Sequence, residues 1–349
     1  MQPHVSTNRF KKVNTVRRRE SWRHHHKHHP AMKQLLFLLT AMLIAVLPAK
    51  AQATQVATLS HEGAITTFYS ANALKDAYNA AVDGDIITLS SGSFLSVTIK
   101  KNITIRGAGM VLDNYPTIIS GSFSIECPAS ETNALTLEGV YANVSVSIDN
   151  SKDVKITKCQ FTRLVIQNSA NFSVANCKFD NIQMNSSSTT GNFINSYLGS
   201  LYGGGSSCSY TNCVITLSNF HAVNSFGGSN FTNCIIETDN SVGESAYFPE
   251  KTTLSHCYHF GVATDPFRKS LSKTNVMLEG NPFANDNYEL AEEYKTICVG
   301  NDGTEAGMYG GFLPFDPTPT NPQITKFNVA SKTTADGKLS VDIEVKANN

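Results

Sequence analysis

The sequence predicts an all-β solenoid, and three observations predict it. First, residues 154–260 repeat a short phrase. Thr157-Lys158-Cys159 returns as Ala175-Asn176-Cys177, Thr211-Asn212-Cys213, Thr232-Asn233-Cys234 and Ser255-His256-Cys257. Second, apolar residues alternate around each triplet: Val154/Ile156 and Phe172/Val174 before it, Phe161, Phe179, Ile215 and Ile236 after it. That is the period-two pattern of strands with one buried face. Third, the middle residue marks a corner at a nearly constant interval. Asn tolerates the left-handed backbone of a sharp bend between two strands, and Gly tolerates it better. Extending outward through Gly107, Gly139, Asn195 and Gly280 places corners at 107, 139, 158, 176, 195, 212, 233, 256 and 280, spaced by 17 to 32 residues. Short strands at a period near twenty, with no helices between them, imply stacked turns and not a sandwich. Equivalent side chains then form ladders with a step of ~4.8 Å.

Residues 1–31 are basic and His-rich, with His24, His25, His26, His28 and His29. They read as a disordered, metal-binding tract or as an upstream extension, with Met32 the true start. Lys33, the apolar run 34–47 and the small residues of Ala49-Lys50-Ala51-Gln52-Ala53 make residues 32–53 a secretory signal peptide, cleaved near Ala51 or Ala53. The run is too short for a mature membrane anchor. A secreted, periplasmic or cell-surface location follows. Residues 1–53 hold ten Lys/Arg and one acidic residue, so a formal charge of zero becomes 18 basic against 27 acidic, a net of −9. An acidic, Ser/Thr/Asn-rich chain argues against nucleic acid as a partner.

The solenoid is expected over residues 54–312. Residues 70–81 read as an amphipathic helix capped by Ser70, with Ala71, Leu74, Tyr78 and Ala81 on one face. It would cover the raw end of the stack before a first strand at 86–89. Residues 108–138 form one long turn, and 185–191, 199–207 and 237–251 are irregular. Pro314, Pro317, Pro319 and Pro322 make 313–322 a stiff linker. Residues 323–349 alternate apolar and polar around Asp336-Gly337, a hairpin signal. Leu339, Val341, Ile343 and Val345 face one way, and a lone hairpin is marginal, so docking on the solenoid is expected.

The Asn corners, the Ser91-Gly92-Ser93-Phe94 strand start and the Ile103-Thr104-Ile105-Arg106-Gly107 corner resemble the right-handed parallel β-helix of the pectate lyase-like superfamily, as found in secreted bacterial proteins. The resemblance covers about residues 70–312. Asn281-Pro282-Phe283, Gly300-Asn301-Asp302-Gly303-Thr304-Glu305 and Gly307-Met308-Tyr309-Gly310-Gly311 look like the closing turn of such proteins. The resemblance implies a right-handed helix with an Asn ladder. It implies little about chemistry, because the fold carries lyases, hydrolases, adhesins and inert stalks. The paired-Asp, Gly-His-Gly and Arg-Ile-Lys motifs of polygalacturonase-like hydrolases and the Arg-x-Pro-x-x-Arg of pectate lyases are absent from the sequence.

Aligning the turns by their corners puts Val165, Gln183, Tyr202, His221 and Tyr247 in one outward column, where active sites of the superfamily often lie. The column has no carboxylate, Lys or Arg, and Arg163, Lys178 and Asp180 flank it out of phase. Tyr202 and Tyr247 are either ordinary strand aromatics or platforms for sugar rings. His221 reads as a ladder residue more than a base, His256 as a corner, and His259 as either buried or solvated. The column is therefore a candidate carbohydrate-binding strip. The expected function is non-catalytic binding of extracellular glycan or cell-surface material; the alternative is a polysaccharide lyase or glycoside hydrolase with a divergent site. No cofactor is expected, since Asp302 and Glu305 are better explained by a turn than by calcium. The sequence does not set the oligomeric state.

All eight Cys lie after residue 53, and five of them, 159, 177, 213, 234 and 257, occupy one inward repeat position. Secretion permits disulfides, but a stacked column of small buried hydrophobes needs none. In denaturant without reductant, the five column thiols should titrate; a lower count that reductant restores would mean bridges.

Overall fold

The computed structural model describes residues 55–112, 115–128, 134–185, 189–203, 207–218, 226–267, 274–330, 332–334 and 336–346. The expected upstream extension and signal peptide lie outside these residues. The chain is a parallel β-solenoid of about nine turns with little helix and a small antiparallel hairpin sheet near its C-terminus.

Two long sheets run the length of the stack, one of 11 strands and the other of 14. Apart from an antiparallel hairpin at the start of the first, successive strands pair in parallel with their equivalents in neighbouring turns. Strict period two puts alternate residues of each first-sheet strand inward. Strand pairing stacks them as a column: Ile87, Ile105, Leu137, Ile156, Val174, Phe193, Tyr210, Phe231 and Leu254. Three of these rings stack almost parallel, Phe193 on Tyr210 at 5.1 Å and Tyr210 on Phe231 at 4.5 Å. The opposing column from the second sheet runs Phe94, Ile119, Ala142, Phe161, Phe179, Leu198, Ile215, Ile236 and His259. His259, left open by the sequence, thus joins an apolar column, between Ile236 and Met277, and is fully buried. Its Nε2 lies 2.9 Å from Thr238 Oγ1, and its Nδ1 has no partner.

Between the two sheets the backbone takes the corner. Gly139, Lys158, Asn176, Asn195, Asn212, Asn233 and His256 all have φ between 45° and 66°. Seven of the nine expected corners therefore have the left-handed geometry. The other two differ. Gly107 has no positive φ, and its lack of a side chain matters for another reason: a Cβ there would lie 2.2 Å from the Gly139 carbonyl oxygen. Gly280 is not a corner either, because Val276–Met277 pairs with Tyr258–Gly261 and Thr274 sits beside His256, accepting its backbone N–H at 3.2 Å.

The residue after each corner points inward. Cys159, Cys177, Cys213, Cys234 and Cys257 form the expected column with Ser196 completing it, and all eight Cys are free and buried. Each of the five column thiols donates back to the carbonyl two residues earlier, at 3.2–3.5 Å. The Cys159 N–H donates to Cys177 Sγ at 3.4 Å, and the Cys177 N–H to Ser196 Oγ at 3.1 Å. Burial pushes up the thiols of Cys159, Cys234 and Cys257, and those of Cys127, Cys177, Cys208 and Cys298 to about 12, which leaves these seven protonated and unreactive.

The ends depart from expectation. The first strand is not 86–89. A hairpin of Val56–His61 and Ala64–Tyr69 precedes it, and Val56–His61 pairs antiparallel with Ile86–Leu89. The helix spans Ala73–Ala80, with Ala73, Leu74 and Ala77 buried, and its cap position is Asn72, not Ser70. At the other end, Gln323–Val329 and Val341–Lys346 form the hairpin around Gly337. Every residue of Val341–Lys346 is exposed, so the expected docked face stands open.

The proline-rich stretch is bound to the solenoid, not free of it. From Asn301 to Asn321 the chain runs back along the corners, against the direction of the stack. Asn301 pairs with Asn233, its N–H donating to Asn233 Oδ1 at 2.9 Å while its Oδ1 accepts from Nδ2 at 3.0 Å. Asn195 Nδ2 donates to the Met308 and Gly310 carbonyls, at 3.0 and 2.7 Å. The Asp316 N–H donates to Asn176 Oδ1 at 2.9 Å, Lys158 Nζ to the Thr318 carbonyl at 2.5 Å, and Asn321 Nδ2 to the Gly107 carbonyl at 2.9 Å. The amides thus bond mainly to this strap; Asn233 Nδ2 to Asn212 Oδ1, at 3.1 Å, is the bond along the ladder.

Two predictions follow from these contacts. Asn195→Ala strands two buried carbonyls and places a Cβ residue that lacks an amide at positive φ, so it should cost about 3 kcal/mol in denaturant unfolding; Asn195→Gly, which relieves only the backbone, should cost less. For His259, burial lowers the pKa to about 4 from 6.5. The unfolded chain therefore binds more protons between those values, and stability falls as pH drops from about 6.5 to about 4, by on the order of 3 kcal/mol. His259→Phe should flatten that acid limb in melts taken across pH.

Candidate functional site

Two surfaces carry chemistry, one expected and one not. The expected strip is partly assembled. Val165, Gln183 and Tyr202 are adjacent across paired strands, as the corner alignment requires. Tyr247 lies in a loop outside the strands, so pairing does not bring it into the column. His221 lies outside the described residues. Arg163, expected out of phase, joins the strip instead: Thr162 and Arg163 are both exposed, opposite a register shift between Ala142 and Ser145, and the guanidinium reaches forward over two turns. Arg163 Nη2 donates to Gln183 Oε1 and, at 3.0 Å, to Tyr202 Oη. Tyr202 Oη in turn donates to Gln183 Oε1 at 3.0 Å. A guanidinium, an amide and a phenol ring are thus held together at the surface, with the Tyr202 ring packed against the core below. The missed signal was reach: an Arg side chain spans more than one ~4.8 Å turn.

The unexpected surface lies on the outer face of the second sheet. Its column reads Tyr141, Gln160, Lys178, Tyr197, Val214, Ile235, Tyr258 and Val276. Half of it is apolar and needs cover. Residues 283–315 supply this cover, forming a second apolar cluster with Leu290, Cys298, Met308 and Phe315. Tyr288 stacks on Tyr197 at 4.1 Å, and Tyr258 Oη bonds both the N–H and the carbonyl of Val299. Where the column turns polar, the cover stands off and leaves a cleft of about 430 Å³ lined by Gln160, Lys178, Asn287, Tyr309, Phe315 and the 110–112 loop. Lys178 Nζ donates to Asn287 Oδ1 at 3.4 Å and sits 5.3 Å from the Phe315 ring centre. Burial lowers its pKa, with Glu289 opposing.

Strand register, continued one residue past the paired strands, puts Asp180 and Glu237 in one outward column three turns apart. Glu289 and Glu305 lie closer together: burial raises the Glu305 pKa and the Glu289 charge adds to the rise. Glu237 accepts from Thr216 Oγ1 at 3.0 Å. Asp302 Oδ1 accepts from the Thr304 N–H and hydroxyl, at 3.0 and 2.8 Å, which is turn geometry. Among the described residues no cluster of three or more His, Cys, Asp or Glu forms a metal site, and no helix is long and apolar enough to cross a membrane. Comparison with family models, curated proteins and solved structures finds no match to this chain.

Proposed function

We propose that this is a secreted, non-catalytic β-helix of pectate lyase-like type that binds extracellular glycan along the face carrying Arg163, Gln183 and Tyr202. The observation that carries this reading is the mutual hydrogen bonding of these three side chains on adjacent turns. Their geometry is set before any ligand arrives, which lowers the cost of binding. The phenol ring offers stacking area. The guanidinium and amide keep donors free for hydroxyls, and a linear polymer can follow the straight line of turns. A polysaccharide lyase with Lys178 as base is the second reading, favoured by the partly dehydrated amine in its cleft.

On a panel of soluble polysaccharides, the parent chain should bind without releasing reducing or unsaturated ends. Arg163→Ala and Tyr202→Ala should each weaken binding by roughly ten- to hundred-fold, about 1–3 kcal/mol, and Tyr202→Phe less, with melting temperatures taken alongside because the ring is part-buried. Unsaturated ends abolished by Lys178→Ala would establish the lyase instead.

A further inference from the structure

A second pocket lies on the corner ladder itself, away from both surfaces described above. It has a volume of about 310 Å³. Its floor is Asn195, Asn212, Asn233 and the neighbouring threonines; its wall is Asn301, Asp302, Gly311, Phe312 and Leu313 of the strap. Three features of this wall stand out. Phe312 is 96 % exposed and Leu313 65 %, so the strap, which elsewhere buries its apolar side chains, holds a ring in water at the mouth of an amide-lined pocket. Asn301 and Asp302 keep complementary groups open. Asn301 Oδ1 is occupied by Asn233 Nδ2, which leaves its own amide N–H groups, while Asp302 Oδ1 takes both bonds from Thr304, which leaves Oδ2. Those turn bonds also lower the Asp302 pKa, so it is a carboxylate. Finally, Asn212 is 2 % exposed, yet its Nδ2 has no acceptor. It sits against Gly311, where a Cβ would come within 2.4 Å, so the strap backbone packs directly over this amide and closes it off from the pocket.

We propose that this pocket is a subsite for a neutral pyranose. An apolar ring face and an adjacent donor–acceptor pair match such a sugar: C–H bonds on one face for Phe312, and vicinal hydroxyls that accept from Asn301 while donating to Asp302. The Asp302 carboxylate opposes a uronate, so the site selects uncharged sugars. The inference rests on the glycan-binding reading and adds a sugar class and a second contact, on a different face from Arg163.

The test uses the full chain and methyl pyranosides of glucose, galactose and mannose, with methyl glucuronate and a neutral hexasaccharide alongside, read by saturation-transfer NMR and calorimetry. Neutral pyranosides should bind and the uronate should bind at least ten-fold more weakly. Phe312→Ala and Asp302→Asn should each lose ten-fold or more for the neutral sugars, and Phe312→Trp should retain binding. Since Phe312 is in water, its substitution should leave the melting temperature unchanged. Pyranoside binding that survives both Phe312→Ala and Asp302→Asn overturns the subsite; if it falls with Arg163→Ala, glycan binding stands on the other face alone. No binding of any monosaccharide also overturns the subsite, and if the hexasaccharide fails too, the proposed function falls with it. Self-association of the parent that Phe312→Ala abolishes would make this wall a protein contact, again overturning the subsite.

Discussion

The left-handed corner is the constraint on which the structure depends. Each turn must bend between two strands at one residue, and an L-residue pays for positive φ unless its side chain helps. Seven consecutive corners adopt it. Because the bend is always at the same phase, the strands on both sides keep register from turn to turn, and a single slip would invert every inward side chain. The corner therefore determines which residues are core, which are outward columns and which lie on the edge where the strap binds.

Corner geometry also explains the cysteines. The residue after the corner is buried, and its own N–H turns to a side chain of the next turn, as at Cys159 and Cys177. A small side chain with a weak donor and a weak acceptor fits there. Ser196 replaces Cys in one turn and accepts the same kind of backbone N–H bond, at 3.1 Å. The column is thus a hydrogen-bonding spine in the core; its thiols are free, and burial raises the pKa of Cys159, Cys177, Cys234 and Cys257.

The C-terminal third works as a second structural layer. Residues 283–315 cover the apolar half of an outer column, and residues 301–321 read the corner amides one after another. Its departures from full contact leave the concave places on the molecule: the Lys178 cleft, where the column turns polar, and the Asn212 pocket, where Gly311 passes over an amide. A bare parallel solenoid presents flat faces; here a returning segment makes the hollows.

Much of this fold was legible in the sequence because its rules are local. Alternation, corner residues and a repeat near twenty residues specify strands, bends and stacking without reference to distant contacts, and they placed Asn176, Asn195, Asn212, Asn233 and the Cys column correctly. Gln183 beside Tyr202 was legible for the same reason, since one turn of register links them. What only the tertiary structure decided involves separations that no repeat encodes. Arg163 enters the strip because its side chain outreaches the turn spacing. Tyr247 leaves it because an irregular loop breaks the count. Lys178 gains a cleft, and residues 313–322 become a strap in place of a linker, through hydrogen bonds spanning well over a hundred positions of sequence. Gly107 is glycine because of Gly139 one turn away, and not because of its own backbone angle. Periodic sequence determines a periodic scaffold; the non-periodic segment that closes over it depends on complementarity between surfaces that exist only once the stack has formed.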